Sequence, residues 1–262
     1  MKQLLVIIFL LANFTSFFAQ SLNNKTLRDL SPDRPHQTES PITTDKGHVM
    51  LELDMANYTR DTILLGTVHT LGFGNVNVKV GLSKKMDIEL ITSIYNKRFS
   101  DVSPAPVSTS FEDFLWRYKY SIAGNDSGDF AIAVMPVVRT NNFFRNKFEV
   151  MNAGLLINAE YEIMKKFGLG YTGGLNSFSV DPAFKQMEWF STVSFDYKLA
   201  GDLRQFVEVS YRYNNNGVLT HNYSVDSGLT FTPKDNWQVD CGVYYFIPEK
   251  KPFLFIGGTI RI

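Results

Sequence analysis

Apolar and polar residues alternate with period two through most of the chain after Gly47. Over residues 47–58, Val49, Leu51, Leu53 and Met55 share one face, while Glu52 and Asp54 take the other. Val76, Val78, Val80 and Leu82 alternate with Asn77, Lys79 and Ser83, and beyond a turn at Lys84 and Lys85 the same happens with Ile88, Leu90 and Ile94 against Asp87, Glu89 and Ser93. Successive side chains of an extended chain point to opposite sides, so each stretch predicts a strand with one greasy and one polar wall. The pattern recurs in residues 114–122, 130–139, 149–163, 167–175, 188–199, 207–212, 223–231, 237–245 and 253–262, which predicts about twelve strands in all.

The connections have a parity of their own. Short turns fall at Lys84 and Lys85, at 124–129, at Lys165 and Lys166, at Gly201 and Asp202, and at Lys234 and Asp235. The intervening connections, expected near Arg60 and Asp61 and over 100–110, 141–147, 179–185, 214–217 and 248–252, are mostly longer. The chain also stops on a strand whose Leu254, Ile256, Ile260 and Ile262 share a face. An open apolar edge templates aggregation, whereas a closed membrane barrel has no edge and turns its apolar face to lipid. Short turns on one side, longer loops on the other and an even strand count predict an antiparallel up-and-down transmembrane β-barrel spanning residues 47–262.

Composition refines this. Beyond the first residues no apolar run is long enough for a membrane helix, yet aromatic residues make up 14% of the chain. Met1, Lys2 and Gln3, the apolar stretch 4–14 and the small residue Ala19 read as a secretory signal peptide over residues 1–20. Residues 21–46, which carry Pro32, Pro35 and Pro41, read as a polar periplasmic lead. Lys plus Arg and Asp plus Glu both number 26, which gives no basic field for nucleic acid. Cys241 is the single cysteine, so neither an intramolecular disulfide nor a cysteine metal site can form, and no cofactor motif is present. The predicted location is the outer membrane of a Gram-negative bacterium, with outer-membrane lipid and the barrel-assembly machinery as partners.

Three segments carry a family resemblance: residues 30–41 (LSPDRPHQTESP), residues 124–130 (GNDSGDF) followed by Met135 and Pro136, and residues 224–231 (SVDSGLTF) with 236–240 (NWQVD). They resemble the outer-membrane proteins catalogued as "putative meta-pathway of phenol degradation", along nearly the whole chain after the signal. The resemblance implies a barrel that moves small molecules. This chain departs from the family by ending on Ile262 where an aromatic is usual.

The candidate chemistry is charge on the polar faces. Glu52, Asp54, Arg117, Glu160, Glu208, Arg212, Asp226 and Asp240 are expected to line the lumen, where they either select a solute or simply neutralise one another. Asp33, Arg34 and Glu39, stiffened by prolines, are expected to enter the lumen as a plug, Arg34 pairing with Glu52, Glu208 or Asp240 and Glu39 with Arg117 or Arg212. The alternative is a disordered periplasmic linker. No nucleophile and base fall together, since His221 and Ser224 lie on opposite faces of one strand, so an outer-membrane lipid-acting enzyme is the weakest reading. The leading expectation is a channel for passive uptake or efflux of a small hydrophobic or aromatic solute, and the alternative is a closed structural or interaction barrel.

Overall fold

A computed structural model describes residues 27–63, 66–100, 103–110, 112–141, 149–181, 184–215 and 219–262. The expected signal peptide, 1–20, lies outside the described residues. The strands are β1 (Val49–Ile63), β2 (Gly66–Ser83), β3 (Met86–Ser100), β4 (Ser103–Ser110), β5 (Phe114–Ala123), β6 (Phe130–Thr140), β7 (Val150–Met164), β8 (Phe167–Asp181), β9 (Phe184–Ala200), β10 (Leu203–Asn215), β11 (Leu219–Lys234), β12 (Trp237–Phe246) and β13 (Lys251–Arg261).

Each strand pairs antiparallel with its neighbours, and β1 pairs with both β2 and β13, which closes the sheet on itself. Twelve strands make the ring. The thirteenth, β4, lies outside that count: the lower part of β3 (Met86 to Ile91) pairs with β5, and only its upper part pairs with β4. Residues 100–110, expected as a loop, therefore hold an added strand. Pro104 and Pro106 lack an N–H, which suits a strand at an edge.

The short turns sit where the alternation put them, and at one of them Gly201 takes the left-handed conformation a tight turn needs (φ 54°). The opposite hairpins run further than expected. Arg60 and Asp61 are strand residues paired with His69 and Val68, Ser179 pairs with Lys185, and Asn214 with Thr220. A membrane crossing needs only ~9–11 tilted residues, so strands of 15 to 18 residues such as β1, β2 and β3 project beyond the bilayer. Out there both faces are wet and polar, which reads in sequence as a loop.

Burial is inside-out relative to a soluble protein. Ile157, Val209 and Ile256 are about half exposed (48%, 49% and 48%) on the outer wall, while Lys79, Glu89, Glu208 and Asp226 on the inner wall are fully covered (0%). The two walls exchange once along β1. The register against β13 shifts between Asp54 and Ala56, so that Asn57 and Thr59 face inward opposite Phe255 and Phe253, and Tyr58 faces outward opposite Leu254.

Candidate functional site

The inner wall is sorted by sign. On β2, β3 and β5 stand Lys79, Lys119 and Arg117, interleaved with Glu89 and Asp87. On β9 to β13 and β1 the inner wall is mainly acidic: Asp196, Glu208, Asp226, Asp240, Glu52 and Asp54. The residues before β1 lie between these poles. Arg28 meets Asp45 (2.8 Å), the Ser31 and Ser40 hydroxyls share a hydrogen bond (2.7 Å), and Asp33 accepts from the Ser40 N–H (3.0 Å). These contacts close the neck of a loop whose tip, residues 34–39, reaches mid-barrel.

The loop places each charge against the opposite pole. Asp33 accepts from Lys79 (2.8 Å) and Lys119 (2.9 Å), and its own N–H donates to Glu52 (3.1 Å). Burial alone would raise the Asp33 carboxyl, but Lys119, Lys79 and Arg117 outweigh it and hold the group well below the usual carboxylate range. Arg34 donates to Asp240 (2.6 Å) and to Asp54, and stands 5.5 Å over the Phe255 ring. Glu39 meets Arg117 at 2.6 Å. His36 lies 3.2 Å from Asp196, near enough to pair as an ion but not aligned as a hydrogen bond, and sits edge-on to Phe206. Burial disfavours its imidazolium, yet Asp196, backed by Glu208 and Glu160, outweighs that and raises the His36 pKa above its ordinary value.

Among the sequence candidates, Asp33, Arg34, Glu39, Glu52, Asp54, Arg117, Glu208, Asp226 and Asp240 are gathered around this loop. Arg34 uses Asp240, one of its three expected partners, and Asp54, which was not among them. Arg212 contacts Glu188 and the Gln37 side-chain amide oxygen (both 3.4 Å) and not Glu39. Glu160 is exposed near the short-turn mouth, outside the loop's hydrogen bonds, and acts on the loop through its charge on His36.

Sequence reasoning missed the neutral residues. The Gln37 amide donates to Asp226 (2.5 Å) and Ser224 (2.9 Å), its N–H donates to Glu208 (2.8 Å), and the Thr38 N–H shares the same carboxylate (2.6 Å). Tyr244 donates to the Pro35 carbonyl. It also missed an apolar patch on the inner wall: Met135, Val137, Leu156 and Phe190, with Leu115 against them. In β6 both faces are apolar (FAIAVMPVVRT), so alternation gives no sign of which is inside. His221 is bonded to Tyr211 on the outer wall (3.0 Å), whereas Ser224 is buried inside beside Ser210, so the two stay apart.

The loop separates two cavities. One of about 980 Å³ opens below it among the short turns. One of about 200 Å³ lies above it, lined by Asn75, Asn77, Ile91, Tyr244 and Phe253, and Arg34, Pro35, His36 and Glu39 wall both.

A closed twelve-stranded antiparallel ring with an apolar outer wall and a charged lumen defines a β-barrel of the Gram-negative outer membrane. The family model described as "Putative MetA-pathway of phenol degradation" matches residues 32–262, and the chain belongs to that family. Among solved structures it is similar to the COG4313 outer membrane channel from Pseudomonas putida F1, at 11% identity and a TM-score of 0.56 over 82% of this chain and 95% of that one. Weaker likenesses are to the KdgM porin (11% identity, TM-score 0.48, 78% and 97% covered) and the CymD monoaromatic hydrocarbon channel (8%, 0.44, 82% and 87%). No curated protein matches in sequence.

Proposed function

We infer that the protein is an outer-membrane channel for small hydrophobic or aromatic solutes and that residues 27–46 act as a constriction docked in its lumen. The carrying observation is the pair of apolar surfaces inside an otherwise charged barrel. Leu115, Met135, Val137, Leu156 and Phe190 line the β5–β9 side. Across the ring, Tyr244, Phe253 and Phe255 stack with ring centroids 5.0 to 6.3 Å apart. A lumen for ions gains nothing from buried phenylalanines, whereas an apolar solute is held by them and oriented by the few polar groups nearby. The family supports the reading, and the Pseudomonas putida structure it resembles in fold is itself called a channel.

The competing reading, a closed barrel without transport, draws on how completely the loop is bonded to the wall. The two separate in reconstituted vesicles. Full-length protein should admit a small aromatic such as toluene faster than protein-free vesicles, and deletion of residues 21–46 should raise planar-bilayer conductance while the barrel keeps its heat-modifiable migration. No aromatic flux above the lipid background, together with unchanged conductance in the folded deletion protein, would leave the closed barrel as the answer.

A further inference from the structure

The outer wall carries a feature that transport does not use. On the outward face of β1, β2 and β3, among the described residues, the only permanently charged side chains are Arg60 and Lys97. They fall in one patch. Arg60 pairs with His69, which pairs with Phe99; Tyr58 pairs with Leu71, which pairs with Lys97. Three adjacent strands thus present two rows, Arg60–His69–Phe99 and Tyr58–Leu71–Lys97, on one face. Neighbouring strands are ~5 Å apart, so the flexible ends of Arg60 and Lys97 can converge over His69.

The patch is ordered. The Tyr58 hydroxyl bonds His69 Nδ1 at 2.7 Å, and the imidazole stacks on Phe99 with centroids 5.3 Å apart and planes 10° from parallel. Both cations are exposed, and among the described residues neither has a carboxylate within ion-pair distance. Their depth is matched as well: Arg60 is the twelfth residue of β1 and Lys97 the twelfth of β3. A crossing uses ~9–11 residues from the periplasmic end, so both stand at the outer headgroup level. At that depth a charge on the lipid face costs little, and two cations facing the same headgroup layer attract an anionic headgroup. Tyr58 and Phe99 supply interfacial aromatics beside them.

We propose that Arg60 and Lys97, braced by the Tyr58–His69–Phe99 stack, bind the phosphates of the phosphorylated glycolipid of the outer leaflet. Arginine offers a fork matched to phosphate oxygens and lysine a point charge, while Leu71 and the two rings meet the first carbons of the acyl chains. The site makes no use of the lumen, so it stands or falls independently of the channel reading.

The test uses the full-length barrel in detergent, titrated with bisphosphorylated lipid A and with the same lipid stripped of its phosphates. Each near-surface cation contributes roughly fivefold to holding an anionic headgroup, so the pair should be worth ~30-fold. Arg60→Gln with Lys97→Gln should therefore weaken binding of the phosphorylated lipid by about that factor. Arg60→Lys with Lys97→Arg, which keeps both charges, should stay within a few-fold of wild type. Heat-modifiable migration checks that each variant is folded, and if the glutamine pair fails to fold, the comparison of the two lipids on wild type still decides. Equal affinity for the stripped lipid, full retention by the folded glutamine pair, a charge-keeping variant as weak as that pair, or complete displacement by millimolar inorganic phosphate would each overturn the site.

Discussion

Asp33 is the residue through which the loop is most firmly fixed, because its carboxylate takes two buried lysines and closes the loop's own neck. Breaking a buried pair by removing one partner costs ~3–5 kcal/mol. Here Glu52 and Glu89 still face Lys79, and Glu89 still faces Lys119, so Asp33→Ala should sit at the low end of that range, ~3 kcal/mol. The expected outcome is a lead that proteases cleave before Gly47 while the barrel stays resistant; a protected lead would contradict it. His36 gives a pH dependence with a definite sign. Its pKa in place is raised, so its contribution to docking is complete below the ordinary value of about 6.5 and is lost as pH rises through the raised one. The groups facing it are Asp196, Glu208 and Glu160, with Phe206 edge-on. Conductance should accordingly be lowest in acid and increase with pH above about 6.5, and His36→Gln should flatten that dependence. A rise in conductance toward acid would reverse the assignment.

The strands owe their placement to the two walls, and one strand can test the assignment. In β10, Val209 is exposed outward while Glu208 is fully covered and accepts from the Gln37 and Thr38 N–H groups. A charge at mid-membrane depth on the lipid face costs ~2–4 kcal/mol, so Val209→Arg should impair assembly and lose the heat-modifiable band. Glu208→Arg should assemble yet loosen the loop, since it places a cation where two N–H donors point. The reverse ranking would mean that the walls are inverted. The loop itself is held by many partners rather than by a stiff backbone. Its acids meet basic strands and its cations meet acidic ones, so it is complementary to the lumen only when closed at Ser31 and Ser40.

Taken whole, the barrel has a short-turn end and an end of projecting hairpins, and its aromatic residues mark the bilayer between them. Trp237 opens β12 at the short-turn end, while Tyr58, Phe99 and Tyr245 stand near the other. Amphipathic rings favour headgroup depth. Tryptophan fluorescence in a variant retaining only Trp237 should therefore be quenched by headgroup-level probes more than by acyl-chain probes near the bilayer centre. Quenching from the centre would shift every strand boundary.

Closure into a barrel was legible because lipid outside and charge inside impose opposite polarities on successive residues, and this alternation is local. Val78 beside Lys79 and Val209 beside Glu208 already carry it. The limits of the strands were not legible, since beyond the bilayer both faces meet water and Arg60 and Asp61 lose the pattern although their backbones still pair. Nor was the apolar patch around Met135, because β6 is apolar on both faces. The charges of the loop were visible in Asp33, Arg34 and Glu39, but the sorting of the lumen into a basic and an acidic side was not. Lys79 and Lys119 come together from β2 and β5, and Asp54 and Asp240 from β1 and β12, only when the ring closes. Which face a residue takes is set by its immediate neighbours in the chain. Which charges share the lumen is set by closure, which joins positions as far apart as Arg34 and Asp240.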